Sequence, residues 1–88
     1  MNVRFEAKFA KDLKQVSDGR LLKAVKELLL ACKEAESLAA ISQVKKLKGH
    51  DTFYRVRIGD YRIGLELAED GLIFVRCLHR KEIYRYFP

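Results

Sequence analysis

The chain of 88 residues is 49% hydrophobic and 34% charged, with a formal net charge of +6 at pH 7. This composition is typical of one small folded domain over residues 1–88 and excludes a disordered or low-complexity protein. No apolar run has the length of a membrane span and no signal-peptide pattern opens the sequence, so we expect a cytoplasmic protein. The positive charge favours a polyanionic partner: a nucleic acid, an anionic membrane surface or an acidic protein.

The first third of the chain predicts a short strand followed by two helices. Residues 2–6 alternate as in a strand, with Val3 and Phe5 facing inward and Arg4 outward. Over residues 7–16 the apolar side chains recur at helical spacing instead. The apolar stripe of this helix consists of Phe9, Ala10, Leu13 and Val16, and the residues predicted to face solvent are Lys8, Lys11, Asp12 and Lys14.

Ser17 or Asp18 can cap a second helix, which we predict from about Arg20 to Ala35. Its broad apolar stripe consists of Leu21, Leu22, Val25, Leu28, Leu29 and Cys32. Residues 37–43 predict a short turn of helix, and residues 45–51 predict a cationic loop with its leucine turned inward. Cys32 and Cys77 belong to no metal-binding or disulfide pattern, so both are expected to be buried, reduced core residues, with no metal or cofactor.

From Phe53 onward the chain predicts three consecutive antiparallel strands. Gly59-Asp60 is a two-residue hairpin signal, and Glu69-Asp70-Gly71 predicts a three-residue loop with a left-handed glycine. The first turn sets Ile58 opposite Tyr61, Val56 opposite Ile63 and Tyr54 opposite Leu65. The second loop sets Leu67 opposite Ile73, Leu65 opposite Val75 and Ile63 opposite Cys77. A two-residue second loop would turn Arg76 into the apolar side, where an unpaired guanidinium costs several kcal/mol.

This register separates an apolar core face from a cationic face. The predicted core face consists of Tyr54, Val56, Ile58, Tyr61, Ile63, Leu65, Leu67, Ile73, Val75 and Cys77. The opposite side, here called the arginine face, carries Arg55, Arg57, Arg62, Arg76 and, if the last strand continues, Arg80, together with Gly64, Glu66, Phe74 and Leu78. Up to Lys48 the cations are nine Lys and two Arg, whereas after it they are six Arg and one Lys. Because the planar guanidinium grips phosphate through two parallel hydrogen bonds and stacks on bases, this face is typical of a nucleic-acid site.

The predicted fold is therefore α+β, in the order strand, two helices, three strands. About four strands form a mainly antiparallel sheet, and a helical hairpin packs on its apolar face. We expect the arginine face to stay uncovered and no further helix to precede Pro88.

Three motifs in this order resemble the RelE/ParE toxin superfamily, and its RelE-like members in particular, over essentially the whole chain. They are Lys46-Leu47-Lys48-Gly49, then Tyr54-Arg55-Val56-Arg57 with Gly59-Asp60-Tyr61-Arg62, then His79-Arg80-Lys81-Glu82-Ile83-Tyr84-Arg85. The resemblance implies a RelE-like fold and the toxin of a type II toxin-antitoxin pair. Such a toxin enters the ribosomal A site, contacts ribosomal RNA and cleaves messenger RNA without a metal. A ribose 2′-oxygen attacks the adjacent phosphate, leaving a 2′,3′-cyclic phosphate and a 5′-hydroxyl. The resemblance also implies a cognate antitoxin that covers the arginine face or docks beside the helices.

The family's catalytic positions fall on Arg55, Arg57, Arg62, Arg80 and Tyr84. Further cations that would bind the substrate are Lys45, Lys46, Lys48, Arg76 and Arg85. The strand pair is Arg-x-Arg where the best-studied members have Lys-x-Lys, and a guanidinium with a pKa above ~12 is a poor base. Tyr84 could instead be packing for the end of the sheet. His79 is a further candidate, although strand parity turns it toward the core side, and His50 is a weaker one.

Two other functions fit the same sequence. One is a ParE-like toxin that inhibits DNA gyrase without chemistry of its own. The other is an RNA-binding module that does not cleave, whose affinity should fall steeply with salt.

Overall fold

The change from helical to alternating periodicity along the chain fixes the order of its elements. The computed structural model describes all residues, Met1–Pro88. Its elements are β1 (Val3–Phe5), α1 (Ala7–Lys14), α2 (Gly19–Glu34), a 3-10 turn (Leu38–Ala40), β2 (Val44–Lys46), β3 (Phe53–Ile58), β4 (Tyr61–Ala68), β5 (Gly71–His79) and α3 (Ile83–Tyr86). The predicted α+β class and its order of strand, two helices and strands are confirmed. No helix has both the length and the apolar character needed to cross a membrane.

The sheet has five strands in the order β1-β5-β4-β3-β2, in which β1 runs parallel to β5 and the other pairs are antiparallel. Strand β2 comes from residues predicted as loop. It pairs with β3 and places Lys45 opposite Arg55. Three residues with two adjacent lysines are too few to show an alternating pattern, so this strand is specified by its partner and not by its own sequence.

The predicted register of the first hairpin is confirmed, with Ile58 opposite Tyr61 and Val56 opposite Ile63. The second hairpin differs, because Ala68 pairs directly with Gly71 and leaves a two-residue loop. A β-bulge beside Gly64 and Leu65 then restores the predicted pairing of Ile63 with Cys77.

The bulge changes which residues of β5 face the helices. Leu65 lies opposite Phe74, not Val75, and Leu67 lies opposite Leu72, not Ile73. Leu72 and Phe74 are consequently fully buried in the core. The prediction that placed Ile73 and Val75 in the core and Phe74 on the arginine face was wrong. A bulge adds one residue to one strand, so the side chains before it face the opposite side of the sheet from the one predicted, while those after it keep the predicted side.

The main core lies between the two helices and the apolar sheet face. It consists of Phe9, Leu21, Val25, Leu28, Cys32, Ile41, Val56, Ile63, Leu65, Leu72, Phe74 and Cys77. Asp18 is the cap of α2, since its carboxylate accepts the backbone N–H groups of Arg20 at 2.9 Å and Leu21 at 3.4 Å. Both cysteines are buried free thiols. Burial raises the pKa of each thiol to about 11.

A second, smaller core lies on the opposite face of the sheet. Leu47, Ile83 and Phe87 are buried there, against Phe53, Val75 and Leu78. The C-terminal segment, residues 83–87, thus folds back as the short helix α3 and covers part of the arginine face. The expectations of an uncovered face and of no further helix were wrong. Ile83 and Phe87 lie one helical turn apart and pack on this face, where the bulge has added Val75 to the apolar side chains Phe53 and Leu78.

Candidate functional site

Three arginines of the predicted site project from neighbouring strands on one face. Arg57 of β3 pairs directly with Arg62 of β4. Arg55 lies two residues before Arg57 and opposite Gly64, so it shares their face. Directly paired side chains begin about 5 Å apart, so the three arginines are close neighbours on this face.

Arg62 is held in place by the turn that precedes it. One of its terminal nitrogens donates to the carbonyl oxygens of Gly59 at 3.0 Å and Tyr61 at 2.9 Å. Arg62 has no carboxylate partner within 4 Å, and the same holds for Arg55 and Arg57. The guanidinium is thus oriented by neutral acceptors and keeps its charge available for an external anion.

The pKa of Arg62 depends on Arg80 and Tyr84 as well as on its neighbours in the sheet. Burial lowers the pKa of Arg62, and the positive charges of Arg57, Arg55 and Arg80 lower it further, whereas Tyr84 raises it. We refer to Arg55, Arg57, Arg62 and Arg80 as the arginine cluster. Crowded like charges repel one another, and binding an anion among them relieves that repulsion.

Arg80 reaches the cluster by a turn and not as part of a strand. Strand β5 ends at His79, and the Arg80 N–H donates to the Asp60 carbonyl at 2.7 Å. Its Nε lies 3.9 Å from Asp60 Oδ1, in an ion pair whose side chains are more than half exposed. The loop between β3 and β4 therefore anchors both Arg62 and Arg80, which fixes their relative position.

His79 lies on the helix side, as strand parity indicated. Its ring packs edge-on against Tyr61 with the centroids 5.6 Å apart, and Nδ1 accepts the Lys81 N–H at 3.2 Å. The cavity beside it is also lined by Asp12 and Cys77, away from the arginine cluster. His79 therefore does not face the group of arginines.

Tyr84 is 63% exposed, whereas its neighbour Ile83 is fully buried. Packing at the end of the sheet is therefore supplied by Ile83, and the Tyr84 ring is left for solvent or a ligand. The small core that holds α3 packs against Leu78, which pairs directly with Arg62, so the exposed Tyr84 lies at the rim of the arginine cluster.

The predicted substrate-binding cations are not all brought to the cluster. Lys45 is, because it pairs with Arg55 across β2 and β3. Lys46 pairs with Tyr54 and therefore lies on the other side of the sheet, while Lys48 is exposed in the following loop. Arg85 is exposed on α3, 3.9 Å from Glu82.

Arg76 is engaged inside the protein. Its Nε and a terminal nitrogen donate to the two carboxylate oxygens of Asp12 at 2.8 and 3.0 Å, and these side chains are only 16% and 12% exposed. The hydrogen bond to Asp12 raises the pKa of Arg76. Its guanidinium carbon also lies 5.7 Å from the centre of the Tyr86 ring. Arg76 consequently ties α1, β5 and α3 together.

Asp12 was predicted to face solvent, and that prediction was wrong. Strand β1 pairs with β5 only as far as Phe74, so the later N–H groups on that edge of β5 lack a strand partner. Asp12 fills this gap by accepting the Cys77 N–H at 3.0 Å. The requirement arises from the short edge strand, which the helical pattern around Asp12 does not reveal.

Sequence reasoning assigned no role to Gly64 or Phe87, although both lie beside the cluster. Gly64 sits between Arg55 and Arg76 in the sheet, directly beneath the Phe87 ring. A glycine in the interior of a strand is the signal that was available, because it often marks a close approach by another part of the chain.

Comparison with known proteins assigns this chain to a family. A family model described as ParE toxin of type II toxin-antitoxin system, parDE, matches residues 3–84. Toxin RelE3 of Methanocaldococcus jannaschii is 46% identical over 89 aligned positions that span both chains completely. Putative toxin RelE1 of the same organism is 37% identical over 82 positions, covering 92% of this chain and 90% of its own.

A solved structure also matches closely. It is the RelB-RelE antitoxin-toxin complex from Methanococcus jannaschii, in which one chain superposes with a TM-score of 0.82 at 45% identity, covering 97% of this chain and 99% of its own. The sequence comparison and the structural comparison lead to the same family. The chain belongs to the RelE/ParE family of toxins of type II toxin-antitoxin systems.

Proposed function

We propose that this toxin is a metal-independent endoribonuclease that cleaves messenger RNA in the ribosomal A site. The observation that carries the proposal is the arginine cluster, in which Arg55, Arg57 and Arg62 have no carboxylate partner. A relative over the full length of the chain is named toxin RelE3, and one over 92% of it is named putative toxin RelE1. A site rich in guanidinium and poor in carboxylate suits a reaction at phosphate.

The arginine cluster would stabilise the transition state. Attack of a ribose 2′-oxygen on the adjacent phosphate adds negative charge to the non-bridging oxygens, and donors already fixed in place lower that barrier most. Arg62 is such a donor, because the carbonyls of Gly59 and Tyr61 hold it before any substrate arrives. Arg80 is tied to the same loop through Asp60. Arg55 and Arg57 would complete the grip on the phosphate.

Tyr84 is the group best placed to act on the substrate beside the phosphate. Its ring is largely exposed on α3, which packs beside the cluster. An exposed aromatic ring next to a phosphate site can stack on an unpaired base, and its hydroxyl can relay a proton. The guanidinium groups are poor bases, so ribosomal groups would share the proton transfers.

The same charge pattern suits an antitoxin with an acidic segment. Such a segment over the arginine cluster would neutralise charges that the toxin leaves unpaired and would exclude RNA from the face. A homologous chain has been solved in an antitoxin-toxin complex with RelB. We propose a cognate antitoxin of this chemistry as the physiological partner.

Mapping the 5′ ends of messenger RNA after expression of the toxin tests the ribonuclease proposal. We expect new ends that carry a 5′-hydroxyl, and we expect Arg62→Ala to abolish them while the circular dichroism spectrum stays unchanged. Purified ribosomes with a defined codon in the A site would then show whether cleavage requires the ribosome. Complete growth arrest with intact transcripts would refute the proposal. RNA binding without cleavage would indicate an RNA-binding module instead.

One observation favours a second candidate, inhibition of DNA gyrase, because the matching family model is described by the ParE toxin. A gyrase inhibitor would induce the DNA-damage response and leave translation unaffected. It would not need Arg80 and Tyr84 together. Measuring protein synthesis and DNA damage in the same culture separates the two candidates.

A further inference from the structure

Gly64 is a glycine in the middle of a strand that is paired on both sides, a place where glycine normally weakens a sheet. A Cβ atom at this position would lie 2.7 to 2.8 Å from three atoms of the Phe87 ring. Carbon atoms in contact prefer about 3.5–4.0 Å. The ring of Phe87 therefore rests directly on the glycine backbone, in space that every other residue would fill.

Phe87 in turn anchors the segment that carries Tyr84. It is 2% exposed and packs edge-on against Phe53, with the ring centres 5.5 Å apart. Its N–H donates to the Ile83 carbonyl at 2.8 Å and so closes α3. A helix of four residues has no stability of its own. The position of α3 is thus set by its two buried residues, Ile83 and Phe87.

We propose that Gly64 and Phe87 form a lock that positions Tyr84 beside Arg62, with Gly64 leaving the space and Phe87 filling it. The inference rests on the proposed ribonuclease function. Neither residue has a group that reacts with RNA, so both are positioning residues. Tyr84 lies only three residues before Phe87, on the exposed side of the same turn of helix.

The lock predicts a defined kinetic signature. Gly64→Ala forces the Phe87 ring to move by several tenths of an ångström or more, and α3 moves with it. Arg55, Arg57 and Arg62 stay on their strands, so affinity for RNA is retained. A misplacement of about 1 Å can reduce a rate about 100-fold. We therefore expect kcat to fall by about 10- to 100-fold while KM changes less than about threefold.

A double-mutant cycle with Phe87→Leu tests whether Gly64 acts through the ring. Leucine keeps an apolar anchor but leaves room for a Cβ. We expect Gly64→Ala to reduce kcat by about 10-fold or more when Phe87 is present and by less than about threefold in the Phe87→Leu background, because interacting sites are not additive. Gly19→Ala is the matched control, since a Cβ at Gly19 meets nothing within 4 Å. Equal losses in both backgrounds would overturn the lock.

Amide chemical shifts test the lock independently of RNA cleavage. In Gly64→Ala the amides of residues 83–87 should shift, whereas those of α1 and α2 should not. If the unchanged protein cleaves no RNA, the proposed function fails, and absence of these shifts would then overturn the lock as well. If it cleaves RNA and Gly64→Ala cleaves it equally well, the lock fails while the ribonuclease stands. If Gly64→Ala does not fold, restored folding with Phe87→Leu supports the contact, and failure to restore it refutes the contact.

Discussion

Removing the Arg76 guanidinium should unfold this protein at a much lower temperature without touching the arginine cluster. Arg76→Met keeps the apolar stem of the side chain and deletes the charge. Asp12, which is 12% exposed, then retains one donor, the Cys77 N–H at 3.0 Å. A largely buried carboxylate is left without its cation.

The structure sets the size of this effect. Breaking one side of a buried ion pair costs about 3–5 kcal/mol. The remaining N–H bond and the residual exposure reduce this, so we expect a loss of about 2–3 kcal/mol in the free energy of unfolding. In a domain of this size 1 kcal/mol lowers the melting temperature by about 4–8 °C. Arg76→Met should therefore melt about 10–20 °C below the unchanged protein.

Thermal unfolding followed by circular dichroism at neutral pH measures this loss, and Arg4→Met is the matched control. Arg4 pairs with Asp70 at 3.3 Å, but these side chains are 57% and 63% exposed, so its removal should cost less than about 1 kcal/mol. Asp12→Asn combined with Arg76→Met should recover much of the stability, because the neutral amide oxygen can still accept the Cys77 N–H and no buried charge is left without a partner. Equal melting temperatures for Arg76→Met and Arg4→Met would show that the buried ion pair adds no more stability than the exposed one.

Three further predictions concern the cluster and the thiols. Arg62→Ala and Arg80→Ala should each reduce RNA cleavage by about 100-fold or more with little change in melting temperature, whereas the exposed Lys81→Ala should retain activity; single-turnover cleavage assays measure this. Affinity for single-stranded RNA should fall with salt at a logarithmic slope of about −3, as four phosphate contacts at about −0.7 each predict; titrations at several salt concentrations check the slope. Burial raises the pKa of Cys32 and Cys77 from 9.0 to about 11, so stability from these thiols is complete below pH 9 and is lost as the pH rises toward 11. At pH 8 their thiolate fraction is about 100-fold below that of a free cysteine, and iodoacetamide should react rapidly only in denaturant.

Three of the four members of the arginine cluster could be predicted from the sequence because their relative placement depends on a short hairpin. Two residues in the turn fix which side chains pair, and parity then places Arg55, Arg57 and Arg62 on one face. The structure has this pairing. No contact from elsewhere in the chain is needed to establish it, and local sequence is therefore sufficient.

The third strand could not be predicted in the same way. Two different arrangements bring Ile63 opposite Cys77. One is a two-residue loop followed by a bulge, as in the structure, and the other is a three-residue loop without a bulge. They differ only in which side of the sheet residues 72–75 face. The predicted penalty for burying Arg76 did not separate these alternatives, because the bulge keeps Arg76 on the arginine face in spite of the shorter loop.

The site's remaining parts depend on contacts between distant residues. Asp12 is buried because β1 ends early, and β2 exists because β3 offers it an edge. Neither cause is visible in the local pattern. Likewise, Phe87 covers Gly64 only because the C-terminal segment returns across the sheet. In the sequence, the glycine in the middle of a strand is the one feature that indicates this contact.

The second core explains how one face of a small sheet can serve both stability and the proposed cleavage of RNA. The bulge turns Val75 toward the arginine face, where it meets Leu47, Ile83 and Phe87. That contact divides the face into an apolar half that fixes α3 and a cationic half that stays open. Substitutions in the apolar half should therefore change stability and the placement of Tyr84 together. Substitutions in the arginine cluster should change RNA cleavage alone, since these side chains carry no part of either core.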